Sequence, residues 1–137
     1  MHIEPTPEAG AAFFGNPPSG PIVMLNLLRF REIADYSEHA DLAPDSPISG
    51  QQAYERYAEH TMPFLLEAGG TLLFRGSASC YLIGPTDERW DQVLAVRYES
   101  AAVFLTFATN TAYLAGLGHR TAALEDSRLL PMSPAAA

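Results

Sequence analysis

The run Pro21-Ile22-Val23-Met24-Leu25-Asn26-Leu27-Leu28-Arg29-Phe30 constrains the fold more than any other stretch of the chain. It is too short for a membrane-spanning helix, which needs about 20 apolar residues. Successive side chains of a strand point to opposite faces. Ile22, Met24 and Leu28 therefore fall on one side, and Val23, Leu25 and Leu27 on the other. A strand that is apolar front and back must be buried on both faces, and one layer of helices covers only one of them.

The chain around this strand sorts into elements by its caps and breakers. Thr6-Pro7-Glu8 reads as an N-cap, an N1 proline and a first-turn acid, opening a short helix to Phe14 that stops before Pro17-Pro18. Residues 31–48 have no clear period and carry Pro44 and Pro47 among several acids, which predicts a surface loop with at most one helical turn. Ser49 and Gln52 fit a capping box. The helix they start places Tyr54, Tyr57, Ala58, Thr61, Leu65 and Ala68 on one face and Glu55, Glu59 and Glu67 on the wet side. Pro63 removes a hydrogen bond inside it and calls for a kink, and Gly69-Gly70 ends it.

A second strand is predicted over Thr71–Gly76, continuing through Cys80–Ile83 to a break at Gly84-Pro85. Trp90–Tyr98 is a third, with Val93 to Val96 again apolar on both faces. Ser100 caps a helix to Ala108, and Thr109 or Asn110 caps another that holds Tyr113, Leu114, Leu117 and Leu124. A last edge strand is expected over Ser127–Met132, then a frayed tail over 133–137. The order strand, helix, strand, strand, helix, strand predicts one α+β domain over 1–137 with a core at about 21–132. Its fold is the ferredoxin-like βαββαβ arrangement, an antiparallel sheet with both helices on one face.

The bare face of such a sheet predicts a homodimer in which two sheets meet. The competing reading is that the 31–48 loop and the N-terminal helix cover that face within one chain. Composition narrows the partners further. The net charge is −8, and all eight basic residues are arginine, so neither nucleic acid nor an anionic membrane is expected. The single cysteine, Cys80, excludes an internal disulfide and reads as a buried, inert thiol beside Tyr81-Leu82-Ile83. The first ten residues lack a basic and an apolar signal region, so a cytoplasmic location is expected.

Several pieces in order resemble a small bacterial family of the dimeric α/β-barrel superfamily. They are Met24-Leu25-Asn26-Leu27-Leu28, Tyr54-x-x-Tyr57, Gly69-Gly70 leading to Leu73-Phe74-Arg75-Gly76, Trp90-Asp91, Arg97-Tyr98-x-Ser100 and His119-Arg120, across about residues 21–130. The resemblance implies a ferredoxin-like subunit and a two-fold dimer. It supplies no reaction, although the superfamily includes cofactor-free monooxygenases, muconolactone-type isomerases and haem enzymes.

The chemistry rests on the polar residues set in apolar context. Asn26 is either a ligand-facing amide or one satisfied at a strand end or across the dimer. Arg75 and Arg97, on the second and third strands, suit bidentate capture of a carboxylate or an ion pair with an acid such as Glu99. His60, three residues after Tyr57, makes the candidate catalytic pair for moving a proton. His119 and Arg120 are candidate ligand-binding residues on the last helix. The four histidines have no metal-ligand spacing and there is no phosphate loop, so neither a metal nor a cofactor is expected. Two functions remain: a dimeric module that binds a small organic ligand or a partner, and a cofactor-independent isomerase or monooxygenase acting on a small aromatic or carboxylated compound.

Overall fold

The computed structural model describes residues 1–135, so residues 136–137 of the expected tail lie outside it. Helix α1 spans Pro7–Gly15, strand β1 Ile22–Phe30, a 3-10 turn Ala40–Leu42, and helix α2 Gly50–Glu67. Strands β2 (Thr71–Ser77) and β3 (Gln92–Tyr98) follow, then helices α3 (Ala101–Ala108), α4 (Thr111–Leu114) and α5 (Leu117–Ala123), and strand β4 (Leu124–Met132). The four strands form one sheet in the order β2-β3-β1-β4, and every neighbouring pair is antiparallel. This is the ferredoxin-like topology, with the doubly apolar β1 in the interior of the sheet.

The caps form as the residue types require. Ser49 Oγ accepts from the Gln52 N–H at 3.0 Å, while Gln52 Oε1 accepts from the Ser49 N–H at 2.9 Å, closing the capping box of α2. Thr6, Ser100 and Asn110 cap α1, α3 and α4 through their side-chain oxygens. The helix α2 continues past Pro63 to Glu67.

Residues directly opposite each other in an antiparallel pair share a face. On the helix side Ile22 faces Tyr98, Met24 faces Val96 and Asn26 faces Leu94. Ile22 and Leu28 there are fully buried. On the other side Val23 faces Arg97, Leu25 faces Ala95 and Leu27 faces Val93. Leu130 and Met132 of β4 and Phe74 of β2 extend that apolar surface, and Leu130 and Phe74 are more than half exposed. Neither candidate cover reaches it. Phe13 of α1 packs with the Tyr98–Phe107 cluster, and Tyr36, Leu42 and Ile48 of the 31–48 segment pack with Leu28, Ala122 and Leu124.

Three expectations are corrected. Strand β2 stops at Ser77, and beyond it only an isolated bridge joins Cys80 to Arg89. The tip of this hairpin extension stands in solvent, with Leu82 and Ile83 almost wholly exposed and Cys80 an exposed free thiol. The last long helix divides at Gly116, where a side chain would collide with the His60 ring, its Cβ falling within 2.2 Å of His60 Cδ2. Strand β4 begins at Leu124, three residues before the expected start, because Ala123 carbonyl and Leu124 already belong to the core corner described next.

That corner fixes where α2 starts. The Arg31 N–H donates to the Ala123 carbonyl at 2.8 Å, and the Gly50 N–H donates to the Arg31 carbonyl at 3.0 Å. A Cβ on Gly50 would lie 2.2 Å from the Arg31 oxygen and 2.6 Å from the Ala123 oxygen, both backbone atoms that cannot step aside. Gly50→Ala is therefore expected to cost about 3 kcal/mol or more. Gly10→Ala, in α1 with nothing within 4 Å, is expected to gain about 0.5–1 kcal/mol. Urea unfolding of the two variants checks both signs.

Candidate functional site

A cavity of about 90 Å³ lies between α2 and the sheet. The 3.6-residue period of α2 brings Tyr54, Tyr57 and Thr61 to it, and the sheet adds Asn26 from β1, Arg75 from β2 and Tyr98 from β3. Leu72, Leu94 and Val96 make its apolar floor. Thr61 is buried, and its Oγ1 has no hydrogen-bond partner. Two other buried side-chain atoms make no hydrogen bond, Arg31 Nε and Arg29 Nε, the latter lying 3.2 Å from Glu125 Oε2 as an ion pair without hydrogen-bond geometry. The Asn26 amide donates only a long bond, 3.3 Å, to its own neighbour's carbonyl at Met24. Buried polar groups normally find partners, so Thr61 and Asn26 leave unused hydrogen-bonding capacity beside one apolar space.

The phenols set the character of this site. Tyr57 and Tyr113 share a hydrogen bond of 2.8 Å between their hydroxyls. Tyr54 and Tyr57 pack with ring centroids 5.3 Å apart. Burial pushes the Tyr54, Tyr98 and Tyr113 hydroxyls well above the ordinary phenol range, and the neighbouring Tyr57 adds to each shift. These three phenols are neutral donors at physiological pH, unsuited to act as bases. Among the described residues no histidine, cysteine or carboxylate lines the cavity.

Of the residues singled out from the sequence, Asn26, Tyr57 and Arg75 meet here. The others are placed elsewhere. His60 Nε2 lies 2.9 Å from the Ala112 carbonyl and 3.2 Å from the Tyr113 carbonyl, which makes that nitrogen the donor and ties α2 to α4. Arg97 lies on the opposite face of the sheet and pairs with Glu99 at 2.7 Å. Arg120 donates to the Ile3 carbonyl at 2.7 Å and holds the N-terminal segment. His119 Nδ1 lies 2.7 Å from the Tyr36 hydroxyl. Burial, then the charge of Arg56, holds the His119 ring below the usual imidazole range. Thr61 was visible in the sequence only as a polar residue on an apolar helix stripe, and that was its one signal.

A larger cleft of about 830 Å³ opens at one end of the sheet, between the residues after β1, the start of α2 and the base of the β2–β3 hairpin. Some of its charged groups are paired: Arg89 with Asp91 at 3.0 Å, and Glu125 with Arg29, outside the lining, at 3.2 Å. It is polar and widely open, and none of the candidate catalytic or ligand-binding residues from the sequence lines it. The smaller, more apolar cavity is the better candidate, because ligand sites are mainly apolar with a few placed polar groups.

Comparison with known proteins gives a family and a fold. The family described as a domain of unknown function, DUF1330, matches residues 45–131. The crystal structure of the RPA0582 protein of unknown function from Rhodopseudomonas palustris is 38% identical, with a TM-score of 0.85 over 99% of this chain and 98% of that one. A DABB family protein with a ferredoxin-like fold from Mesorhizobium loti is 11% identical, with a TM-score of 0.50 over 86% of this chain and 100% of that one. A protein from Bacteroides fragilis, described as dimeric, ferredoxin-like and of unknown function, is also 11% identical, with a TM-score of 0.50 over 81% and 93%. No curated protein matches the chain.

Two outcomes follow from these placements. Thr61→Val removes an unpartnered buried hydroxyl at constant volume and is expected to raise the stability of the free protein by about 1 kcal/mol in denaturant unfolding. His119 titrates from 6.5 when unfolded and lower when folded. The unfolded chain therefore takes up that proton first as the pH falls, and the contribution of His119 is complete above about 6.5 and lost below it. His119→Gln should flatten the fall in melting temperature between pH 7 and 5.

Proposed function

The chain belongs to the DUF1330 family, and from that premise we propose that it works as a homodimeric module that binds a small organic molecule between α2 and the sheet. The observation that carries this reading is the Thr61 hydroxyl, buried and without a partner in the wall of an apolar cavity. An unsatisfied buried hydroxyl costs stability, and a bound acceptor or donor would offset that cost. Asn26 and Tyr57 are the further groups that orient the guest, and Arg75 is the one cation in the lining. The neutral phenols and the lack of any lining carboxylate, histidine or cysteine favour binding over proton transfer, so His60 is given a tethering role.

The second half of the reading concerns the open sheet face. Val23, Leu25, Leu27, Ala95, Leu130 and Phe74 form an apolar centre. Around it stand Arg97 with Glu99, Arg29 with Glu125, and Arg128 with Asp126 and Glu88. An apolar core inside a polar rim is the anatomy of a protein interface, and about 800 Å² per partner suffices for a stable one. A second copy supplies a matching surface through a two-fold axis, and the Bacteroides fragilis protein of the same fold is described as dimeric. Among the described residues no single helix is long and apolar enough to cross a membrane. An exposed free Cys80 suits a reducing compartment, so the module is assigned to the cytoplasm.

Thermal-shift titration with isobutyrate, isobutyramide, benzoate and benzamide tests the binding site. At least one is expected to raise the wild-type melting temperature by a few degrees at millimolar concentration, with the effect lost in Asn26→Leu. No shift with any of the four overturns the ligand-binding reading. For the interface, the wild-type melting temperature should rise with protein concentration. Leu25→Arg should lower it and remove that dependence.

A further inference from the structure

The cavity as it stands has room for about three water molecules at ~30 Å³ each, far short of the roughly 300–1,000 Å³ of a typical ligand pocket. Whatever separates α2 from the sheet therefore controls entry. Arg75 is the most exposed residue of the lining and lies on β2, the edge strand beneath α2. Its Nη2 donates to Glu55 Oε1 at 2.6 Å, and Glu55 stands on α2 between the lining residues Tyr54 and Tyr57. One ion pair thus straps the helix to the edge strand on the solvent side of the cavity. Both partners are well exposed, with side chains 30% and 54% accessible, so the strap is weak.

Resting on the ligand-binding reading above, we propose that the guest is a small monocarboxylate that takes Arg75 from Glu55, and that Glu55 is a built-in competitor that occupies Arg75 when the site is empty. A guanidinium offers a fork of donors suited to two carboxylate oxygens, and Glu55 engages it through a single nitrogen. Exchange of one carboxylate for another leaves the cation paired before and after, and returns the exposed Glu55 to solvent. The guest gains what Glu55 cannot reach: the apolar floor of Leu72, Leu94 and Val96 and the unused hydrogen-bonding capacity of Thr61 and Asn26. A neutral isostere gains the same interior contacts but offers Arg75 only a single, weaker carbonyl acceptor. The net charge of −8 makes the chain repel anions at a distance, so any preference for a carboxylate must come from this one local cation.

Calorimetric titration of isobutyrate and of its neutral isostere isobutyramide into wild type, Glu55→Gln and Arg75→Gln tests the exchange, with circular dichroism confirming that each variant is folded. Wild type should bind isobutyrate at least several-fold more tightly than isobutyramide. Glu55→Gln should tighten isobutyrate about three- to five-fold and leave isobutyramide unchanged, and Arg75→Gln should erase the difference between the two. Equal binding of acid and amide by wild type, or isobutyrate affinity unmoved in Glu55→Gln, overturns the carboxylate exchange while leaving a ligand cavity in place. Failure of both compounds to bind any of the three proteins overturns the exchange and counts against the ligand-binding reading as well.

Discussion

The structure depends on burying a central strand from two directions. Strand β1 lies between β3 and β4, so its backbone is hydrogen-bonded on both edges and its side chains project to both faces of the sheet. On the helix side the demand is met: Ile22, Met24 and Leu28 disappear beneath α2, α3 and the Ala122–Leu124 corner. At about 25 cal/mol per Å² of apolar surface removed from water, this burial is the main favourable term the fold has. On the other side Val23, Leu25 and Leu27 face Arg97, Ala95 and Val93, and neither α1 nor the 31–48 loop packs on them. α1 and the 31–48 loop are committed to the helix layer through Phe13, Tyr36 and Ile48, and the 78–91 hairpin extension reaches this face at its Leu27 end, where Trp90 and Glu88 meet Arg128.

The same two-layer geometry creates the cavity. A helix that packs on a sheet through leucine and valine alone leaves little space. Here α2 presents tyrosines and a threonine, and β1 presents an asparagine where its neighbours are aliphatic. The rings hold the helix away from the sheet at one point, while the Tyr57–Tyr113 hydroxyl pair and the His60 bonds to Ala112 and Tyr113 fix it laterally to α4. The polar residues of α2 therefore divide their work: His60 and Tyr57 set the position of the helix, and Thr61 faces the space that this position leaves.

Much of the fold was legible because its signals are local. The Ser49–Gln52 box, the Ser100 cap and the alternation through β1 and β3 each depend on residues within a few positions. Errors arose where a distant contact decides. Cys80 to Ile83 reads as strand, yet it forms only the Cys80–Arg89 bridge and the Tyr81 contacts to Trp90 and Glu88, and Leu82 and Ile83 stand in solvent. At the break, the glycine at 116 is required by a histidine 56 positions earlier in the chain, on another helix, whose ring leaves no room for a side chain. The site shows the same division. Asn26 stood out as a polar residue in an apolar strand, and Arg97 with Glu99 as neighbours able to pair. That Asn26, Tyr57 and Arg75 converge, and that His60 turns toward α4, follows from the crossover that lays α2 over β2 and β3, which no single segment encodes.

Sedimentation velocity of the wild-type protein at micromolar concentration asks whether the outer side of β1 is shielded in solution. One species of about twice the 14.8 kDa chain mass is expected. A stable, non-aggregating species at the chain mass itself would show that the Val23–Leu25–Leu27 surface is tolerated in water, and would contradict the dimer.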